Sequence, residues 1–193
     1  MKAKSKRKHT IGKFIGLALT ISVFACGCNG KQSAPKTESR QEETKDTEAE
    51  NENTAPDFTA EVNDGSSFLL SEQSGKVVLL NFWATWCGPC VAEMPAFERL
   101  YQDYDKEDVA ILAINCMEEK STVDQFVADS EYTFPIAYDE AGEISQKYPT
   151  NGIPYTLIIG KDGSVKKTYI GARDAETQYQ EYKKAVDAAL KEE

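Results

Sequence analysis

Cys87 and Cys90, with Gly88 and Pro89 between them, are the residues of this 193-residue chain whose types and spacing most plainly allow chemistry. Two thiols at that separation can exchange two electrons for a disulfide. The reactive species is the thiolate, and a helix start favours it, because unpaired backbone N–H groups and the helix dipole stabilise negative charge there. The apolar run Val77 to Phe82 before the motif reads as a fully buried strand, and Val91 to Leu100 after it has helical spacing. Cys87 therefore stands at a strand-to-helix junction and reads as the nucleophile, its pKa able to fall from about 8.5 toward about 7. Cys90, one turn on and sheltered, reads as the resolving thiol, whose attack on Cys87 frees the reduced substrate.

Further residues bear on the same chemistry. Glu93 lies three positions past Cys90 and so shares its helical face. A partly buried carboxylate there could take the proton from Cys90 as it attacks. Pro154 follows Ile153 where a strand opens, a place ill suited to a trans proline. Trp86, beside Cys87, reads as a partly exposed substrate platform, and Trp83 as packing. Cys116, a third thiol at a strand end, reads as a small hydrophobe. The only histidine, His9, lies in a basic segment expected to stay outside the fold. That leaves the working domain without imidazole and excludes Ser-His-Asp and Cys-His hydrolysis as well as zinc sites that use histidine. No metal or other cofactor is expected.

The elements that must position these residues follow from pattern. Residues 1–25 hold Lys2, Lys4, Lys6, Arg7, Lys8 and Lys13 and no acid, so the net charge of −10 hides a still more acidic body. Such a body is a poor partner for nucleic acid, which needs a basic face. Phe14 to Cys26 is uncharged, apolar and short for a membrane span of about 20 residues, so residues 1–25 read as a signal peptide. Residues 26–55, which contain no aromatic or large aliphatic side chain, read as a disordered acidic tether, and 56–193 as one folded domain. Within it, Phe58–Val62 and Ser67–Leu70 around Asp64-Gly65 predict a hairpin, and Ser71–Gly75 a short turn. Val109–Asn115 predicts a strand, Ser121–Asp129 a helix capped at its serine, Phe134–Tyr138 an extended piece and Ala141–Tyr148 a short helix. Tyr155–Ile159 and Val165–Ile170 flank a turn as a second hairpin, and Asp174–Leu190 closes the chain as an amphipathic helix. Together they predict an α/β fold around a central mixed sheet.

Trp86-Cys87-Gly88-Pro89-Cys90 resembles the active-site motif of thioredoxins, with Pro95 at the place of their helix-kinking proline. The chain is similar to the TlpA/ResA branch of extracytoplasmic thiol-disulfide oxidoreductases from Ala55-Pro56-Asp57-Phe58, through Gly75 to Trp83, to Gly152-Ile153-Pro154. The resemblance implies a thioredoxin-like fold, its sheet flanked by helices, with an added N-terminal β-hairpin. It implies a cis Pro154 facing the disulfide, so that the backbone at Ile153 is free to pair with a substrate strand. Substrate contacts are expected from Trp86, Ile153, Gly88 and Pro89. Gly-Pro between the cysteines is the dipeptide of reducing thioredoxin, near −270 mV, and not of the oxidising type near −120 mV. Glu93 matches a glutamate that the branch uses beside its cysteines. Asn81 stands where thioredoxins carry a buried aspartate, which removes the usual proton acceptor, and Tyr155 stands where Thr is more usual.

Val23-Phe24-Ala25-Cys26 resembles a bacterial lipobox, although Phe24 is bulky for its position; Cys26 would carry the lipid, with Cys28 as the alternative. The expected protein is then a lipid-anchored domain on the extracytoplasmic face of the cell membrane. It would reduce disulfides in exported proteins, such as apocytochrome c or a partner reductase, and be recharged by a membrane electron donor of the CcdA type. An oxidant with the same machinery is the nearest rival. A peroxiredoxin-type peroxidase would need Thr where Ala84 stands, and a Sco-type copper carrier a distal histidine.

Overall fold

In the computed structural model, residues 53–192 are described. Strand β3 (Val77–Trp83) is buried at every position and forms the middle of a five-stranded sheet. Its neighbours are β4 (Val109–Cys116), parallel to it, and β6 (Tyr155–Ile159), antiparallel. Outside these lie β5 (Ile136–Asp139), parallel to β4, and β7 (Val165–Ile170), antiparallel to β6, giving the order β5-β4-β3-β6-β7. Parallel neighbours require a crossover. Helix α1 (Gly88–Asp103) supplies it between β3 and β4, and α2 (Lys120–Asp129) between β4 and β5.

Alternation along β3 divides the core into two layers. Val77, Leu79 and Trp83 pack against α1, α2 and the closing helix α3 (Ala175–Ala189) through Phe97, Leu100, Val123, Tyr182 and Val186. Val78, Leu80 and Phe82 face the other way, onto Phe58, Ala60, Val62 and Leu70. Those residues belong to or adjoin the hairpin of β1 (Thr59–Glu61) and β2 (Ser67–Leu69), so the added N-terminal hairpin is a lid on the second layer. Its turn relies on Gly65 at φ +83°, a conformation an L side chain resists. The expected α/β architecture with a mixed sheet and an N-terminal hairpin is the one found.

Several details differ from the sequence reading. Helix α1 begins at Gly88, three residues earlier than its apolar spacing shows, and runs through Pro95 without ending. Helix α2 is not capped by Ser121: it begins at Lys120 behind Glu119, which makes no side-chain cap bond, so Ser121 falls inside its first turn. Ala141–Tyr148 is not a helix but a bend with one 3-10 turn, Ser145–Lys147. Gly142 at φ +72° interrupts it, and the Asp139 carboxylate accepts from Ile144 N (3.0 Å) and Ser145 N (2.7 Å). The turn at Ser71–Gly75 contains a 3-10 segment, Leu70–Gln73. Pairing also starts inside the stretch read as tether: Thr54 bridges Ser164, and Ala55 N donates to Gly163 O at 3.0 Å. Residues 1–52, with the expected signal, lipid-bearing Cys26 or Cys28 and most of the tether, lie outside the described residues.

Leu80, fully buried at the centre of the second layer, measures how well the hairpin seals it. Leu80→Ala is expected to lower unfolding free energy by about 2–5 kcal/mol, read from the urea midpoint. A loss under about 1 kcal/mol would mean that this layer is not close-packed.

Candidate active site

Strand β3 ends at Trp83, and four residues later Cys87 caps α1. Cys87 has extended backbone (φ −84°, ψ 94°), and its sulfur accepts from Cys90 N at 3.3 Å. Gly88 and Pro89 occupy the first turn, where a proline costs nothing because its missing N–H would have had no helical partner. Cys87 and Cys90 are joined as a disulfide with Cα atoms 5.2 Å apart. Cys90 is fully buried, and Cys87 keeps only a sliver of surface, 5%. Facing them is the loop before β6, where the Ile153–Pro154 peptide is cis and the Ile153 carbonyl oxygen lies 3.8 Å from Cys87 Sγ. Gly171 N donates to Pro154 O at 2.8 Å and ties this loop to the end of β7. Trp86 stands out beside Cys87 with 74% of its surface exposed, whereas Trp83 is buried against Phe126.

Thr85, between the two tryptophans, is pinned by Glu118 just past the end of β4. Its N–H donates to Glu118 Oε2 at 2.7 Å and its hydroxyl to Glu118 Oε1 at 2.5 Å, while Asn115 Nδ2 holds the same carboxylate at 2.6 Å. The turn that presents Cys87 is thus fixed by a side chain 33 residues away in sequence.

Glu93 is wholly buried on the inner face of α1. Asn81 Nδ2 donates to its Oε1 at 2.9 Å and the Tyr182 hydroxyl to its Oε2 at 2.8 Å. Burial pushes its carboxyl up to about 7, against the opposing pull of these two hydrogen bonds. Asn81, read from sequence as the loss of an acceptor, is here a donor: its other N–H goes to Thr156 Oγ1 at 2.9 Å.

Residues 50–186 match the family described as Redoxin. The chain is 42% identical over 123 residues to the thiol-disulfide oxidoreductase ResA of Geobacillus thermodenitrificans, an alignment covering 64% of this chain and 71% of that protein. Among solved structures it is similar to StoA from Bacillus subtilis, with TM-score 0.58, 27% identity and coverage of 66% of this chain and 97% of that one. It is also similar to the pneumococcal exposed lipoprotein thioredoxin of Streptococcus pneumoniae strain TIGR4, with TM-score 0.59, 25% identity and coverage of 67% and 99%. The chain belongs to the redoxin family, among its ResA thiol-disulfide oxidoreductases. It is accordingly a protein-disulfide oxidoreductase of thioredoxin-like fold.

Beside the disulfide of this oxidoreductase runs a groove of about 540 Å³, walled by Trp86, Cys116, Met117, Tyr148, Gly152 and Ile153 among others, with no charged side chain in its lining. Met117 is left-handed at φ 57° and 70% exposed, and its side chain leans on Gly142, where a Cβ would stand 3.1 Å from Met117 Cγ. Cys116 is buried in the same wall. Burial first, then the charge of Asp139, pushes its thiol up to about 12, so it stays protonated at neutral pH.

The structure therefore gathers Cys87, Cys90, Gly88, Pro89, Trp86, Ile153 and Pro154 at one point, and buries Glu93 one turn past Cys90 on α1. Sequence reasoning missed Tyr182, Thr156, Glu118 and Met117. Tyr182 carries the 3.6-residue spacing of a packing face, and no local pattern tells where its hydroxyl ends.

The buried carboxyl makes stability depend on pH in a definite sense. The folded pKa of Glu93 lies near 7 and its ordinary value is 4.5, so ionisation is harder in the fold. Between those limits the folded state holds more protons, and stability falls as pH rises, by about 3 kcal/mol in all. Glu93→Gln should abolish this slope, so that it gains on the parent between pH 5 and pH 8 in urea unfolding of the oxidised proteins. Parallel profiles would show that Glu93 does not ionise against a cost.

Proposed function

We propose that this oxidoreductase works outside the cytoplasm as a membrane-tethered reductase of disulfides in exported proteins. Cys87 is its nucleophile, Cys90 its resolving thiol and Glu93 the acceptor of the Cys90 proton. The reading rests on one arrangement, the Cys87–Cys90 disulfide at the start of α1 facing the cis Ile153–Pro154 bond. In the reduced enzyme, Cys87 thiolate attacks a substrate disulfide, forming a mixed disulfide and expelling one substrate thiolate. Cys90 then gives its proton to Glu93 and attacks Cys87 Sγ. The bond between Cys87 and the substrate breaks, the Cys87–Cys90 bond forms, and the second substrate thiolate leaves. The substrate gains two electrons and the enzyme loses two.

Trp86, Ile153, Gly88 and Pro89 form the rim that meets the substrate chain, and the uncharged groove beside them favours protein segments over small ionic thiols. The Gly-Pro dipeptide supports a reducing poise, since potentials near −270 mV accompany it in thioredoxin. Residues 1–25 act as a signal, Cys26, or failing it Cys28, carries the lipid, and the acidic stretch that follows is the tether. Support for an anchor comes from the basic and apolar N-terminal sequence and from the likeness to an exposed lipoprotein thioredoxin. Among the described residues no helix is long and apolar enough to cross a membrane. A membrane donor of the CcdA type returns electrons to Cys87–Cys90, and apocytochrome c or a partner reductase receives them.

Trapping tests the catalytic reading. Cys90→Ser should accumulate a mixed disulfide on Cys87 that reductant releases, with the captured protein identified by mass spectrometry. A variant that captures nothing, although Cys87 still alkylates, would remove the reductase reading. For the anchor, Cys26→Ser in the full chain should move the protein from the membrane fraction to the medium or periplasm, and Cys28→Ser should not. The reverse pattern would transfer the lipid to Cys28.

A further inference from the structure

Tyr182 lies on α3, remote in sequence from the cysteines, yet its hydroxyl is 2.8 Å from Glu93 Oε2. Its ring is wholly buried between Phe97, with centroids 5.4 Å apart, and Tyr169, edge-on at 5.0 Å. Held on both sides, the ring keeps its hydroxyl among Glu93, Thr156 and Gln178. The Thr156 hydroxyl is 3.1 Å from it, and Asn81 reaches both Thr156 and the other oxygen of Glu93. Counting protons closes this circle in one direction. Tyr182 has a single hydrogen, which goes to Glu93; Asn81 spends both of its N–H bonds; and Thr156 accepts from Asn81 and donates to Tyr182. The carboxylate is the only member that purely accepts.

We propose that Tyr182 is a positioning residue of the thiol-disulfide reaction: with Asn81 it holds the Glu93 carboxylate as a ready proton acceptor for Cys90 and so sets the pH range of the resolving step. The inference rests on the role given to Glu93 under Proposed function. Two effects oppose each other at this carboxyl. Burial favours the neutral acid, whereas hydrogens pointing at both oxygens favour the anion, since a protonated Glu93 accepts them more weakly. Removing the Tyr182 hydroxyl leaves burial unopposed at Oε2.

The groups facing Glu93 are few. Among the described residues, α3 brings Tyr182 and β3 and β6 bring the neutral Asn81 and Thr156, while Cys90 precedes Glu93 by one turn on the same helix. Tyr169 of β7 stands behind Tyr182 and spends its hydroxyl on Glu181 O at 3.2 Å. Burial and the bonds from Tyr182 and Asn81 are the influences on its carboxyl, with no lysine, arginine or second carboxylate among them. The step itself is the one written above: the Cys90 proton goes to Glu93, the Cys87–Cys90 bond forms and the mixed disulfide breaks.

Stopped-flow mixing of reduced enzyme with a chromophoric aromatic disulfide reads the step. One coloured thiolate leaves when Cys87 attacks and a second when Cys90 resolves. For Tyr182→Phe, which keeps the ring, the pH midpoint of the second phase should move up by about one unit. The second phase should then be about tenfold slower near pH 6 and nearly unchanged near pH 9. The double variant Tyr182→Phe/Glu93→Gln should follow Glu93→Gln alone, because the tyrosine acts through the glutamate. If Glu93→Gln moves the midpoint and Tyr182→Phe does not, Tyr182 only packs and the inference is overturned. A midpoint that Glu93→Gln itself leaves in place removes Glu93 as acceptor and the inference with it. Should Tyr182→Phe fail to fold, Thr156→Val, which removes the hydroxyl that orients Tyr182, must give the upward shift; an unmoved midpoint overturns the inference equally.

Discussion

A strand buried along its whole length must hand over, within four residues, to a helix capped by one cysteine of the disulfide, and the molecule is arranged around that junction. β3 cannot shift without exposing apolar side chains on two faces, so the height at which Cys87 emerges is fixed by core packing. The intervening turn buries only Ala84 and leaves Trp86 exposed, and Glu118 steadies it by gripping Thr85 through backbone and side chain. The neighbouring β6 runs antiparallel and therefore opens where β3 ends, which brings Pro154 to the same edge. A parallel neighbour could not do this, because its start would lie at the other end of the sheet.

Beneath that junction the fold accepts a cost. A carboxyl in a closed interior with no cation beside it loses hydration that two hydrogen bonds only partly replace, which is why its proton affinity rises to near neutrality. A leucine at position 93 would be cheaper for stability. Groups strained in this way are expected where they are used. A proton acceptor near pH 7 is the kind of group that a thiol one turn away requires, and in the proposed reaction Glu93 fills that part.

The N-terminal hairpin changes what the rest of the sheet can do. It seals the second core layer, and through Val62, which bridges Ala137, it also covers part of the β5 edge. At the opposite edge Thr54 bridges Ser164 at the start of β7, and Lys166 and Lys167 follow. Partly paired or lysine-bearing edges discourage sheet-to-sheet association. The exposed apolar surface that remains includes Trp86 and Met117, both on the groove beside Cys87.

Sequence alone determined the chemistry and the order of elements: a Cys-Gly-Pro-Cys between a buried strand and a helix, a glutamate one turn on, a proline before a later strand, and a terminal amphipathic helix. These are local facts, carried by spacing and by residue type. Asp139 defeated the reading of Ala141–Tyr148 as a helix, because its side chain takes the N–H groups of Ile144 and Ser145 in a bend that apolar spacing does not encode. Only the tertiary structure decided that Tyr182, Thr156 and Asn81 converge on Glu93, and that Glu118 holds Thr85. A hydrogen bond between residues 89 positions apart depends on the crossing of α1 and α3 over the sheet, which no stretch of either helix contains.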